Sequence, residues 1–210
     1  MAFFECPRCK APLDGDLRAN PCCNQCKRSF AEVVELCESY NEQVSVLTHL
    51  ASTYKKALKT IEPLAEEFGG IECMHNIELP KEAEVSWEVK MTVEKLRDIV
   101  SKVRMIIEFN RELSLMALIG AEQAYARWDE ESPPASDEDF NRIENIHLNL
   151  QMCAFLWGRI IIEFEEAPLM MDAIEEAKEY RQIIASRQYM LENLTKLRKN
   201  PSCPDDHLIQ

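Results

Sequence analysis

Glycine is scarce in this 210-residue chain, which holds only Gly15, Gly69, Gly70, Gly120 and Gly158, about a third of ordinary usage. Their spacings form no GxGxxG, GxxxxGK or GxSxG, which excludes dinucleotide-binding, phosphate-cradling and nucleophile-elbow folds. Long apolar runs are missing too. The richest stretch, Ala154 to Ile162, is interrupted by Arg159 and falls far short of the roughly 20 residues that cross a bilayer. The opening Met1-Ala-Phe-Phe-Glu-Cys6 has neither the basic start nor the apolar core of a secretory signal. Positive charge is also in short supply: 24 Lys plus Arg stand against 37 Asp plus Glu, a formal net charge of -13. Such a balance opposes a surface that grips nucleic acid or anionic lipid throughout, while leaving room for a local basic patch.

Apolar residues make up 46% of the chain and charged residues 29%, enough to build a core and well outside the disordered class. Nine cysteines occur, at positions 6, 9, 22, 23, 26, 37, 73, 153 and 203. The odd count, with the last four spread along helix-patterned sequence, does not read as a disulfide framework. The expectation is a soluble intracellular protein, cytoplasmic or nuclear, with reduced thiols and no membrane segment.

Residues 1–30 differ from the rest. They hold five of the nine cysteines, together with Pro7, Pro12 and Pro21, and show no helical period. From Ala31 onward, apolar residues recur at helical spacing. The pattern predicts a first helix from Ala31 to about Phe68, stopped by Gly69-Gly70 with Pro63 in its last turns. A connector spans 71–84, and a second helix runs from about Val85 to Trp128. The acidic loop 129–139 follows, and within it Ser136 and Asp139 approximate a capping box for a third helix that continues to Phe164. Pro168 separates or opens a fourth helix, which reaches about Lys199, and residues 200–210 read as a loose tail.

Four helices in 31–199 far exceed the usual mean of about 11–12 residues each. The expected class is therefore mainly α, with the cysteine-rich segment 1–30 followed by an elongated bundle or hairpin of about four long helices. In the second helix the seam Val89, Leu96, Ile99, Val103, Ile106, Asn110, Leu113, Ala117 and Ala124 is flanked by Val93, Val100, Ile107 and Ala121. That stripe is wider than a two-stranded coiled coil requires. It leads to the expectation of an additional covering surface, from a second copy or another protein, with Asn110 fixing the register.

The cysteine cluster carries the most specific signal. Cys6-Pro-Arg-Cys9 and Cys23-Asn-Gln-Cys26 are two CxxC pairs separated by thirteen residues. Each pair can offer two thiolates to one tetrahedral ion, at about 2.3 Å per sulfur, with the intervening residues bringing the pairs together. Phe4-Glu-Cys-Pro-Arg-Cys9 and Cys23-Asn-Gln-Cys-Lys-Arg-Ser-Phe30 resemble the two knuckles of zinc-ribbon modules, in which an aromatic commonly follows the second knuckle. The resemblance covers residues 4–30 and implies one Zn²⁺ held by Cys6, Cys9, Cys23 and Cys26, with Cys22 as an alternative ligand beside Cys23. Lys10 and Lys27 stand where ribbons commonly carry glycine. A redox CxxC needs one pair and a βαβ setting, neither of which describes this chain. Five cations and three carboxylates in this segment, balanced by four thiolates around a divalent ion, leave the knuckle near neutrality, a weak footprint for phosphate binding.

Two Glu-x-x-His spacings, Glu72/His75 and Glu144/His147, have the i, i+3 relation used by di-iron bundles. A CxxC knuckle beside a four-helix bundle resembles rubrerythrin-like electron-transfer proteins. Against this, the first pair falls in the connector, and the second and fourth helices contain no histidine. His49 and His207 have no nucleophile at a recognisable spacing. With no catalytic constellation, the reading is a non-enzymatic zinc-binding interaction protein: an adaptor, assembly subunit or inhibitor working through helix-mediated contacts with a protein partner or a second copy. The alternatives are a transcription- or nucleic-acid-associated factor using the ribbon, and a rubrerythrin-like redox protein.

Overall fold

A computed structural model describes residues 4–5, 11–13, 34–65, 70, 86–129 and 131–197. They form two short strands, β1 (Phe4–Glu5) and β2 (Pro12–Leu13), and four long helices: α1 (Val34–Ala65), α2 (Trp87–Arg127), α3 (Asp137–Phe164) and α4 (Met171–Leu197). A 3₁₀ turn, Pro168–Met170, leads into α4. The chain is mainly helical, as its periodicity requires, and no helix among the described residues is long and apolar enough to cross a membrane. The connector 71–84 and the tail 200–210 lie outside the described residues.

Local chemistry accounts for the helix starts. Ser86 precedes α2, and its carbonyl accepts from the Val89 amide at 3.1 Å, satisfying one of the donors a helix start leaves open. At α3 the capping box is reciprocal. The Asp139 amide donates to Ser136 Oγ at 3.1 Å, while the Ser136 amide and hydroxyl donate to Asp139 Oδ2 at 3.3 and 2.7 Å. Asp137, Glu138 and Asp139 fill the first turn, where negative charge is favoured by the helix dipole. Pro168 stands at the first position of the 3₁₀ turn, where its missing N–H costs nothing.

The chain divides into two compact units. The internal unit comprises Ser39–Glu112 and Leu156–Arg181, so all four helices contribute to it. Here α1 meets α2 where the Tyr40 hydroxyl donates to Asn110 Oδ1 at 3.2 Å, and α1 meets α3 where Tyr54 packs edge-on to Phe164 at 5.8 Å. α3 meets α4 through Trp157 stacked on Tyr180 at 4.9 Å. The ring closes between α2 and α4, where Arg111 clamps Glu176 with Nε and Nη2 at 2.6 and 2.8 Å. These four contacts define a closed four-helix bundle, with Leu47, Leu96, Val103, Trp157 and Phe164 buried inside it. The aromatic stacking and edge contacts are worth about 0.5–1.5 kcal/mol each beyond their buried area.

The terminal unit comprises Met1–Glu38, Leu113–Phe155 and Gln182–Gln210. Among its described residues, α2, α3 and α4 supply the packing and α1 contributes only its start. α2 packs on α3 at Gly120, where an added Cβ would stand in ordinary contact with the Ile146 side chain at 3.4 Å. Arg187 of α4 donates from Nε to Glu122 of α2 at 2.6 Å. Phe140, Ile143, Leu150, Met152 and Leu191 form its buried core.

One sequence expectation is corrected here. The flanks Val93, Val100, Ile107 and Ala121 are buried within the chain along with the seam residues Leu96, Ile99 and Val103. The wide stripe of α2 is covered by the protein's own helices. Asn110 is likewise buried and bonded to Tyr40, so the register it serves is that of α1 on α2. The physical reason is that α2 packs in the internal unit against both α1 and α4, and two neighbours cover a broad face.

Candidate functional site

The four expected zinc ligands Cys6, Cys9, Cys23 and Cys26, and the alternative Cys22, lie outside the described residues. Near the first pair, residues 4–5 and 11–13 are described. β1 pairs antiparallel with β2 in the register Phe4↔Leu13 and Glu5↔Pro12, and Cys6 and Cys9 fall between these strands in sequence. Pairing of this kind returns the chain on itself within a few residues, as a two-thiolate turn requires of its flanks. Four cysteines match the soft, deprotonated donor set of a closed structural zinc site. A 30-residue segment has too little core to fold by burial alone, and metal binding would supply that free energy.

The second set of candidates comes from Glu-x-x-His. Glu144 and His147 are both buried on α3, as their spacing on one helical face implies. Glu72 and His75 lie outside the described residues, as does His207, and His49 is exposed on α1. Among the described residues, no group of three or more His, Cys, Asp or Glu side chains is placed to hold a metal ion. Glu144 and His147 are joined in the chain's buried polar set by Ser114 and Asn110. Ser114 had no sequence signal, because a serine on a helix's inner face reads like any other small residue.

The acidic loop is ordered by its own side chains. Asp129 Oδ1 accepts from the amides of Glu131 and Ser132 at 3.0 and 2.7 Å. Asp139 is held below the usual carboxylate range, first by the Ser136 hydroxyl and further by its backbone bonds and Arg127, whose guanidinium lies 3.7 Å away. On the other side of the molecule's charge balance, Arg111 is paired to both Glu176 and Glu108, and this raises its already high pKa. Burial pushes the Tyr180 phenol up. These are structural ion pairs and caps.

Two surface features remain. A groove of about 720 Å³ in the internal unit is lined by Arg97, Arg104 and Met105 of α2 and by Leu169, Met171 and Asp172, with Arg104 paired to Asp172 at 3.2 Å. The other feature is on α2 itself, where Met105, Phe109, Leu115, Met116 and Ile119 are exposed. Met116 at 69% and Ile119 at 56% are far more open than apolar side chains on a covered helix. In comparisons with known proteins, no family model, no curated protein and no solved structure matches the chain.

Proposed function

We propose that this chain is a non-enzymatic zinc-binding interaction protein, an adaptor, assembly subunit or inhibitor that works through protein contacts made by its helices. The observation that carries the reading is the outer face of α2. This helix already buries its broad inner stripe within the chain, yet it presents Met105, Phe109, Leu115, Met116 and Ile119 to solvent. Contiguous exposed apolar side chains on one helix mark interaction surfaces in soluble proteins. Scattered single residues need no explanation, but residues one turn apart along a helix do.

The ribbon adds a second part to the proposal. One Zn²⁺ held by Cys6, Cys9, Cys23 and Cys26, with Cys22 able to replace Cys23, folds the N-terminal segment and fixes it for contact. The spacing of the two CxxC pairs and the strand pairing around the first of them support this. Elemental analysis of the purified chain tests it: one zinc per chain is expected, lost in Cys6→Ser plus Cys26→Ser. Iron in place of zinc would move the reading to the rubrerythrin-like class. Tight binding of DNA or RNA with a steep salt slope, in a chain that retains no protein partner, would move it to the nucleic-acid class.

A further inference from the structure

Glu144 and His147 sit one turn apart on the same side of α3 and are only 4% and 6% exposed. The neighbouring helices do not by themselves explain that burial. Ile146 meets α2 at Gly120, and Glu144, two residues earlier, lies about 200° round the helix, on the opposite side. In the terminal unit the described chain supplies three long helical stretches, from α2, α3 and α4, and only Val34–Glu38 of α1. Three packed helices leave each with an outer side open to water, and a glutamate there is ordinarily solvated.

A buried carboxylate is costly unless a cation or several donors meet it. Both Glu144 and His147 are engaged by other groups. The described cations of this unit have other roles. Arg127 reaches Asp139 and lies over Trp128, Arg187 pairs with Glu122, and Lys196 meets Asn193 and Tyr189. Arg142 is exposed and, two residues from Glu144, stands on another side of α3.

We infer that the side of α3 holding Glu144 and His147 is the seat of the N-terminal segment before α1, with Lys27 or Arg28 brought to the Glu144 carboxylate. The unit to which this side of α3 belongs also comprises Met1–Glu38. Leu17–Ala31 carries Arg18, Lys27 and Arg28 and no carboxylate. Arg28 stands six residues before Val34, a tether of up to about 20 Å, against a helix width of about 10–12 Å. The unit's other outlying stretch, 198–210, sets Asp205 and Asp206 against Arg198 and Lys199 and so offers no net cation. The inference goes beyond the proposed function. There the segment is a contact module, whereas here it also covers the chain's own helix, with or without a metal.

The test uses the full chain. A benzophenone side chain is placed at Asn141, which is exposed one turn before Glu144, and after irradiation the residues it captures are located by mass spectrometry. Capture within 14–33 is expected. Capture confined to 198–210 or to the other helices, or no capture at all, overturns the inference. Carbethoxylation of His147 is the second measurement. It should be slow in the wild-type chain and rise about tenfold or more in Lys27→Glu plus Arg28→Glu, the scale of one lost charge-assisted bond. Adding Glu144→Gln should bring the rate back down, because the repulsion that drives the segment off is removed. An unchanged rate in the double variant, or a raised rate that Glu144→Gln fails to lower, overturns the inference. Circular dichroism establishes that each variant keeps its helices. Zinc content is measured in parallel, and a chain without zinc whose His147 is still shielded by the segment fails the ribbon reading alone.

Discussion

The inner and outer faces of α2 carry the same kinds of residue and have opposite fates. On the inner face, Leu96, Ile99, Val103 and Ile107 are buried against helices of the same chain. On the outer face, Met105, Phe109, Met116 and Ile119 are exposed. Hydrophobicity does not separate the two sets. What separates them is geometry. In the internal unit α2 has α1 and α4 as neighbours, and a helix with two neighbours keeps part of its circumference open. An apolar residue there stabilises nothing within the chain and becomes available to another molecule. The polar residues make the same point. Asn110, on the inner face, is bonded to Tyr40, whereas Glu112, two residues on, faces solvent.

The comparison predicts a graded set of stability effects. The largest should come from Leu96→Ala on the inner face, which removes a side chain only 2% exposed and should cost about 2–5 kcal/mol. Urea denaturation measures it, and a loss under 1 kcal/mol would mean that the inner face is not the core. Tyr40→Phe should come next. It deletes the hydroxyl that donates to buried Asn110, and the loss of that one hydrogen bond should cost about 0.5–1.5 kcal/mol.

Ser136→Ala, at the start of α3, should cost about 1 kcal/mol, the usual worth of a helix cap. The same box gives a pH dependence with a definite sign. Asp139 has its folded pKa depressed below the ordinary 3.8, chiefly by the Ser136 hydroxyl. Its stabilising contribution is therefore present above that ordinary value and is lost as pH falls through the depressed one. An NMR titration of the Asp139 carboxyl should find it protonating below pH 3.8, and moving back toward that value in Ser136→Ala. A midpoint at or above the ordinary value in the wild-type chain would remove the cap from the account.

Features set by neighbouring residues were legible in the sequence. The four helices lie within a few residues of the periodic stretches that announce them. Ser136 and Asp139 form the reciprocal bonds that their spacing implies, and Pro168 opens the turn before α4. The expected zinc ligands Cys6, Cys9, Cys23 and Cys26 are a local pattern too, but they lie outside the described residues. Features set by tertiary packing were not legible. The inner and outer stripes of α2 interleave on one helix, and both satisfy a helical period, so only the placement of α1 and α4 decides which is covered. The clamp between Arg111 and Glu176 joins residues 65 apart, and no local pattern announces it. Asn110 reads identically in a seam within a chain and in a seam between chains.

The smallest stability effect belongs to the outer face, and it is paired with the largest functional one. Met116→Asp exchanges a side chain 69% exposed, so it should change stability by less than about 0.5 kcal/mol. The decisive measurement is light scattering on the chain purified from native extract, wild type beside Met116→Asp, with thermal unfolding of both. The account predicts a wild-type assembly heavier than one chain, a variant with the mass of one chain, and unfolding midpoints that coincide. A wild-type chain that runs alone, or an assembly that Met116→Asp leaves intact, would contradict it.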